Sequence, residues 1–203
     1  MSVMSGLRFG PVPPGAVHLC VDMQRLFAED TEWRTPWMPR VLPAVAALCA
    51  HRPDRICFTR FIPARSPETA PGAWARYWRR WPELTLDRLD PEMIALVPEL
   101  QPFSPPGRLV DKTTYSPWLG TALHASLSRA GVDTLVVSGA ETDVCVLASV
   151  LGAVDLGYRV IVAADAVCSS SDATHDSLIG LYHQRFGQQI ETADTDEIID
   201  TWR

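Results

Sequence analysis

The chain has 203 residues, which is enough for one α/β domain with a full core and too few for two. Hydrophobic residues make up 47% and charged residues 21%, as is typical of soluble globular proteins. The net charge of −6 and the lack of a basic run argue against a nucleic-acid partner, and no stretch approaches the roughly 18 consecutive apolar residues of a membrane span.

The N-terminal stretch MSVMSGLRFGPVPPG lacks the cationic and apolar regions of a secretory signal, which predicts a cytoplasmic protein. The five cysteines form an odd set without CxxC spacing, and this favours free thiols in a reducing compartment. The histidines are scattered and none pairs with a cysteine at ligand spacing. We therefore expect no zinc site and no cofactor.

Short apolar runs alternate with longer segments whose apolar residues recur at helical spacing. The strands are predicted at residues 16–22, 54–60, 108–112, 133–139, 159–165 and 188–192, and helices at 38–51, 117–131, 143–157 and 173–186. This alternation predicts a three-layer α-β-α fold around a mainly parallel sheet of roughly six strands. We expect a single domain that spans residues 1–203.

Residues 61–107 interrupt the alternation with many prolines and the aromatic run WARYWRRW. Long loops on a rigid sheet often determine specificity, which makes Trp74 and Trp78 candidates for substrate binding. Alternatively, these aromatic residues pack the excursion itself or form a subunit interface. The apolar surface of this excursion is one reason to expect a homo-oligomer.

Three predicted strands lead to functional side chains. HLCVDMQ reaches Asp22, RLVDK ends at Lys112, and LVVSGAETDVC passes through a turn to Cys145 at the start of a predicted helix. The carboxyl ends of parallel strands meet at one edge of a sheet, where ligands bind. We therefore expect an acid, a cation and a thiol to meet there.

This trio suits nucleophilic attack on a carbonyl group. A helix N-terminus and Lys112 would favour the thiolate of Cys145, and Asp22 would act as the general base. The backbone N–H groups of the GAETDVC turn would bind the oxyanion. The residues alone leave open a core cysteine, a helix-capping aspartate and a solvated lysine.

The ordered motifs VDMQ (21–24), DKTTYS (111–116) and SGAETDVCV (138–146) resemble those of the isochorismatase-like cysteine hydrolases. This superfamily includes nicotinamidases, carbamoylsarcosine amidases and hydrolases of ureido compounds, and the resemblance covers residues 15–190. It implies that Asp22, Lys112 and Cys145 form the catalytic triad.

The same resemblance assigns further roles around the predicted triad. It implies a cis peptide bond between Ala140 and Glu141, with the backbone N–H groups of Glu141 and Cys145 as the oxyanion hole. It also implies that Gln24 and Tyr115 line the site.

The family contains several chemistries, and the presence of the cysteine favours attack on a small amide, carbamoyl or ureido compound. The alternatives are an isochorismatase-type ether hydrolase, a nicotinamidase-like amidase and a non-catalytic thiol sensor. Nicotinamidases carry an Asp-x-His metal site where this chain has FTRFIPARSPE, so we expect catalysis without a metal. In that stretch, Arg60 is predicted to bind a substrate carboxylate or to form a structural ion pair.

Overall fold

The computed structural model describes residues 6–203 and has a six-stranded sheet at its centre. The strand order is β3-β2-β1-β4-β5-β6, and every neighbouring pair is parallel. The strands are β1 (Val17–Val21), β2 (Ile56–Phe61), β3 (Arg108–Lys112), β4 (Thr134–Ala140), β5 (Arg159–Cys168) and β6 (Ile190–Ala193). The predicted parallel sheet is therefore confirmed.

Helices cover both faces of this sheet. They are α1 (Arg25–Ala28), α2 (Met38–His51), α3 (Ala73–Arg80), α4 (Leu123–Arg129), α5 (Leu147–Asp155), α6 (Asp172–Arg185) and α7 (Thr195–Thr201). Helices α2 and α7 pack on one face, and α4, α5 and α6 pack on the other. The three-layer α-β-α architecture is confirmed.

Alternation along the strands fills two separate cores. In β4, Leu135 and Val137 face the core under α4, α5 and α6, whereas Val136 faces the core under α2. In β5, Val160 faces the core under α4, α5 and α6, and Ile161 faces the core under α2. Because both faces are covered, these strands are continuous apolar runs rather than alternating ones.

The strand order changes direction between β1 and β4, so the segments that follow these two strands leave the sheet beside each other. Strands β2 and β3 lie on one side of β1, and β4, β5 and β6 lie on the other. Gly139 in β4 pairs with Val21 in β1 and has a φ of 113°. A Cβ atom at Gly139 would lie 2.0 Å from the carbonyl oxygen of Val21, so only glycine allows this close approach.

The structure differs from the sequence predictions at several helix boundaries. The helix predicted at 117–131 begins at Leu123, because the chain turns at Gly120 with a φ of 70°. The helix predicted at 143–157 begins as a π-helical turn, Thr142–Val146, and continues as α5. Helix α7 was not predicted at all.

The excursion at 61–107 contains α3 and several short 3-10 turns. Trp78 and Leu84 from this segment belong to the same buried cluster as α2. The excursion therefore packs on the sheet layer rather than on a core of its own. Within residues 6–203, no helix has the length and apolarity needed to cross a membrane.

Candidate active site

Asp22 directly follows β1 and is completely buried. Its φ of 48° is in the left-handed region, and it is the one residue other than glycine with a positive φ among residues 6–203. The hydroxyl group of Thr59, from β2, donates a 2.6 Å hydrogen bond to Oδ1 of Asp22. The backbone N–H of Asp22 also donates to the carbonyl oxygen of Thr59 at 3.2 Å. These contacts fix the carboxylate at the edge of the sheet.

Lys112 is the last residue of β3 and is also buried. Its ammonium group donates to Oδ2 of Asp22 at 2.6 Å, to the carbonyl oxygen of Thr114 at 3.1 Å and to Sγ of Cys145 at 3.5 Å. These three acceptors match the three N–H donors of an ammonium group. Burial acts to lower the pKa of Lys112, but Asp22 and Cys145 outweigh it and the net pKa is raised.

Cys145 lies in the π-helical turn after β4, with 5% of its surface exposed. Burial raises the pKa of its thiol well above the usual value, the Asp22 carboxylate raises it further, and Lys112 only partly opposes them. The direction of this shift is opposite to the expected lowering of the thiol pKa by Lys112 and the helix terminus.

Glu141 connects β4 to the turn that carries Cys145. The peptide bond between Ala140 and Glu141 is cis. The carboxylate of Glu141 accepts a 3.0 Å hydrogen bond from the hydroxyl group of Thr35. Burial raises the pKa of the Glu141 carboxyl group, while hydrogen bonds from Thr35 and Ser170 oppose the shift.

A cavity of about 380 Å³ opens onto the sulfur of Cys145. Six of its twelve lining residues are aromatic. The lining residues are Phe27, Glu32, Trp33, Arg34, Phe61, Tyr77, Trp81, Tyr115, Glu141, Val144, Cys145 and Ser170. A cavity of this size and composition suits a small organic molecule.

Trp33 is the centre of the aromatic wall. Its ring lies 6.0 Å from the ring of Phe27, in a stacked arrangement, and 5.7 Å from that of Tyr77. The ring of Trp81 packs edge-on against Trp33 at 6.1 Å. Residues 27–34 were not predicted to line the site, although they follow soon after the carboxyl end of β1, where ligands bind in such sheets.

The predicted substrate-binding residues divide into two groups. Tyr115 lines the cavity. Gln24 instead clamps the backbone, because its amide donates to the carbonyl oxygen of Phe61 at 3.1 Å and accepts from the N–H of Phe61 at 2.7 Å. Trp74 packs on Tyr115 and Trp78 on Phe61, and both lie behind the cavity wall. Gln24, Trp74 and Trp78 are not among the residues that line the cavity, so the cavity gives no support to their predicted contact with substrate.

Arg60 also lies outside the cavity. Its guanidinium group makes two hydrogen bonds, of 2.8 and 2.9 Å, to the carboxylate of Asp111 on the neighbouring strand. The structural ion pair, one of the two predicted alternatives, is present, and Arg60 is not among the residues that line the cavity.

The end of β2 and the residues that follow it do not fit the Asp-x-His metal site that the family resemblance implies for nicotinamidases. Phe61, Ile62 and Pro63 offer no ligand side chain there, and Arg60 carries a positive charge. Among residues 6–203, no group of three or more His, Cys, Asp and Glu side chains is arranged to hold a metal ion.

Comparison with known proteins places the site in a family context. A family model described as "Isochorismatase domain" matches residues 16–194. A solved structure of a cysteine hydrolase from Pseudomonas syringae pv. phaseolicola 1448A has a TM-score of 0.82 and 25% identity, over 100% of this chain and 98% of that chain. The N-carbamoylsarcosine amidase from Thermoplasma acidophilum has a TM-score of 0.71 and 21% identity, over 91% of this chain and 96% of that one.

The sequence matches to curated relatives cover less than half of this chain. An uncharacterized isochorismatase family protein of Bacillus subtilis (strain 168) is 32% identical over 83 residues, which make up 41% of this chain. The match covers 44% of that relative, less than half of its length.

Proposed function

Because this chain belongs to the isochorismatase family, we propose that it is a cysteine hydrolase that cleaves a carbon–nitrogen bond in a small amide, carbamoyl or ureido compound. One observation carries the proposal. The Lys112 ammonium group contacts the carboxylate of Asp22 and the sulfur of Cys145 together, at the end of an aromatic cavity. An acid–base group, a nucleophile and a fixed positive charge are the groups that acyl transfer requires.

The first half of the reaction forms a covalent intermediate. As the sulfur of Cys145 attacks the carbonyl carbon, Asp22 accepts the thiol proton. Burial and the Asp22 carboxylate raise the pKa of this thiol, which favours transfer of the proton together with the attack. The backbone N–H groups of Glu141 and Cys145 donate to the developing oxyanion, and each such donor stabilises the transition state by about 3–4 kcal/mol in comparable sites.

The second half of the reaction releases both products. Asp22 returns its proton to the leaving nitrogen, the carbon–nitrogen bond breaks, and ammonia or an amine departs. A water molecule then attacks the thioester or thiocarbamate carbon while Asp22 accepts its proton. The carbon–sulfur bond breaks, the thiolate of Cys145 takes up the proton, and the acid product leaves. Lys112 holds its positive charge throughout.

The test is release of ammonia or amine from a panel of small amides, carbamoyl compounds and ureido compounds. The wild type should hydrolyse at least one compound, and Cys145→Ala should lose that activity. Cys57→Ala is the matched control, because Cys57 is a buried cysteine outside this cavity. Undiminished activity in Cys145→Ala would contradict the proposal.

A covalent intermediate has its own measurement. Acid quenching during turnover of a slow substrate should trap an adduct on the peptide that contains Cys145, detected by mass spectrometry. If the panel is inert and the protein cleaves a vinyl ether instead, the isochorismatase-type alternative replaces the amidase proposal.

We further propose a single cytoplasmic domain that assembles as a homo-oligomer. The aromatic excursion at 61–107 supports assembly only through its composition. Light scattering coupled to size-exclusion chromatography would measure the number of subunits.

A further inference from the structure

The wall of the cavity beside Cys145 contains a carboxylate without a basic partner. Glu141 lines the cavity, and Oε1 of its carboxylate accepts a hydrogen bond from the hydroxyl group of Thr35. Thr35 is itself completely buried. Among residues 6–203, no ion pair joins Glu141 to a lysine, arginine or histidine. A carboxylate offers about four acceptor positions, and hydrogen bonds from Thr35 and from the side chain and backbone of Ser170 use three of them, so Glu141 keeps one acceptor position for a ligand.

The positive charges near the cavity do not offset this carboxylate. The charge of Lys112 is neutralised by Asp22, and its three N–H donors are all used. Arg60 is paired with Asp111 outside the cavity. Two exposed residues of the cavity lining, Glu32 and Arg34, carry opposite charges.

The other residues of the cavity wall favour an apolar ligand over a strongly hydrated one. The rings of Trp33, Tyr77 and Trp81 form one side, and Phe61 extends the same surface. Aromatic faces attract cations and pack against apolar groups, whereas an anion between them loses hydration without gaining a partner.

We propose that Glu141 selects amide or ureido substrates that carry no negative charge and that present an N–H donor or a cationic group to its carboxylate. The body of such a substrate, beyond the scissile carbonyl, is aromatic or otherwise apolar. This inference rests on the proposed function, because it assumes that the substrate carbonyl is delivered to Cys145. The side chain of Glu141 determines specificity, whereas its backbone N–H belongs to the proposed oxyanion hole.

Charged thiol reagents of similar size test this selection without requiring turnover. Methanethiosulfonates with an ethyltrimethylammonium, hydroxyethyl or ethylsulfonate group supply a cation, a neutral probe and an anion. In each case the cysteine sulfur attacks the sulfenyl sulfur, a mixed disulfide forms and methanesulfinate leaves. The rate of labelling at Cys145 is followed by peptide mass spectrometry and divided by the rate with glutathione. The ratio of the cation rate to the anion rate cancels the ionisation state of the thiol.

The wild type should show a normalised cation-to-anion ratio well above one. Glu141→Gln keeps the backbone N–H and an acceptor for Thr35 but removes the charge, and it should lower the ratio by roughly tenfold. Glu99→Gln removes an equal charge from an exposed residue outside the cavity and is the matched control. Circular dichroism checks that each variant is folded, and the wild-type ratio stands as a test by itself.

Three results would overturn the inference. They are a normalised wild-type ratio at or below one, an equal ratio in wild type and Glu141→Gln, and failure of all three reagents to label Cys145. The amide panel separates the two proposals, since charge selection without hydrolysis of any amide would sink the proposed function alone. Hydrolysis that favours anionic amides would sink the inference alone.

Discussion

Replacing Lys112 by methionine should destabilise the protein as well as inactivate it. Neither charged side chain of the Asp22–Lys112 pair is exposed, and their charged atoms are 2.6 Å apart. Lys112→Met leaves the Asp22 carboxylate buried without its cation, and breaking a buried pair in this way costs about 3–5 kcal/mol. For a chain of this length, that loss lowers the melting temperature by about 6–20 °C. The same change should lower kcat by about 10²–10⁴-fold.

A double variant separates the two effects. Asp22→Asn combined with Lys112→Met removes both charges, so no unpaired charge remains buried. Its free energy of unfolding should return to within about 2 kcal/mol of the wild-type value, the remainder being the imperfectly satisfied amide. Its activity should not return, because no acid–base group is left at this position.

Urea unfolding followed by tryptophan fluorescence measures the stabilities, and release of ammonia measures the activities. A Lys112→Met protein within about 1 kcal/mol of wild type would refute the reasoning, because water would then have to reach the carboxylate. A double variant as unstable as Lys112→Met would refute it too, since the loss would come from packing rather than charge.

Three further predictions concern the nucleophile, its base and the metal requirement. Burial raises the pKa of the thiols of Cys145 and Cys57, the latter to about 11, so alkylation of Cys145 by iodoacetamide should rise steeply with pH. Cys145 should react before Cys57, because Cys145 lines the cavity and Cys57 does not. Equal labelling of the two cysteines would contradict the contact of Cys145 with the cavity. Thr59→Val should lower kcat by about 10–100-fold with little change in KM, because Asp22 loses a hydrogen bond worth about 1.5–3 kcal/mol. Thr59→Ser keeps the hydroxyl group and should restore the rate if that group positions Asp22. Dialysis against EDTA should leave activity unchanged, since Arg60 and its neighbours offer no ligand set; loss on chelation and recovery with zinc, iron or manganese would reverse that view.

The order of strands and helices could be predicted because each pattern is local. The apolar run DTLVV indicates a strand and the segment after Cys145 indicates a helix, each within a few residues. The order of the strands and helices follows from such runs. The starts of the helices were harder to predict, since the turn at Gly120 and the π-helical turn at Thr142–Val146 depend on how neighbouring segments pack. The excursion was identified by composition, but its helix α3 was not.

The sequence by itself determined the family, the parallel sheet and the meeting of Asp22, Lys112 and Cys145. Three separate motifs lead to the carboxyl ends of strands, and parallel strands bring such ends to one edge. The long-range order of these motifs therefore already contains the placement of the three residues.

Only the tertiary structure decided how those residues and their neighbours behave. Arg60 pairs with Asp111 because β2 and β3 are in register, and the two residues are 51 positions apart in the chain. The raised pKa of the Cys145 thiol follows from burial, a property of the whole fold rather than of its local sequence. Likewise, Trp33 and Glu141 line one cavity because the segment after β1 folds over the end of β4, and pairing across such distances is set by packing that no local pattern records.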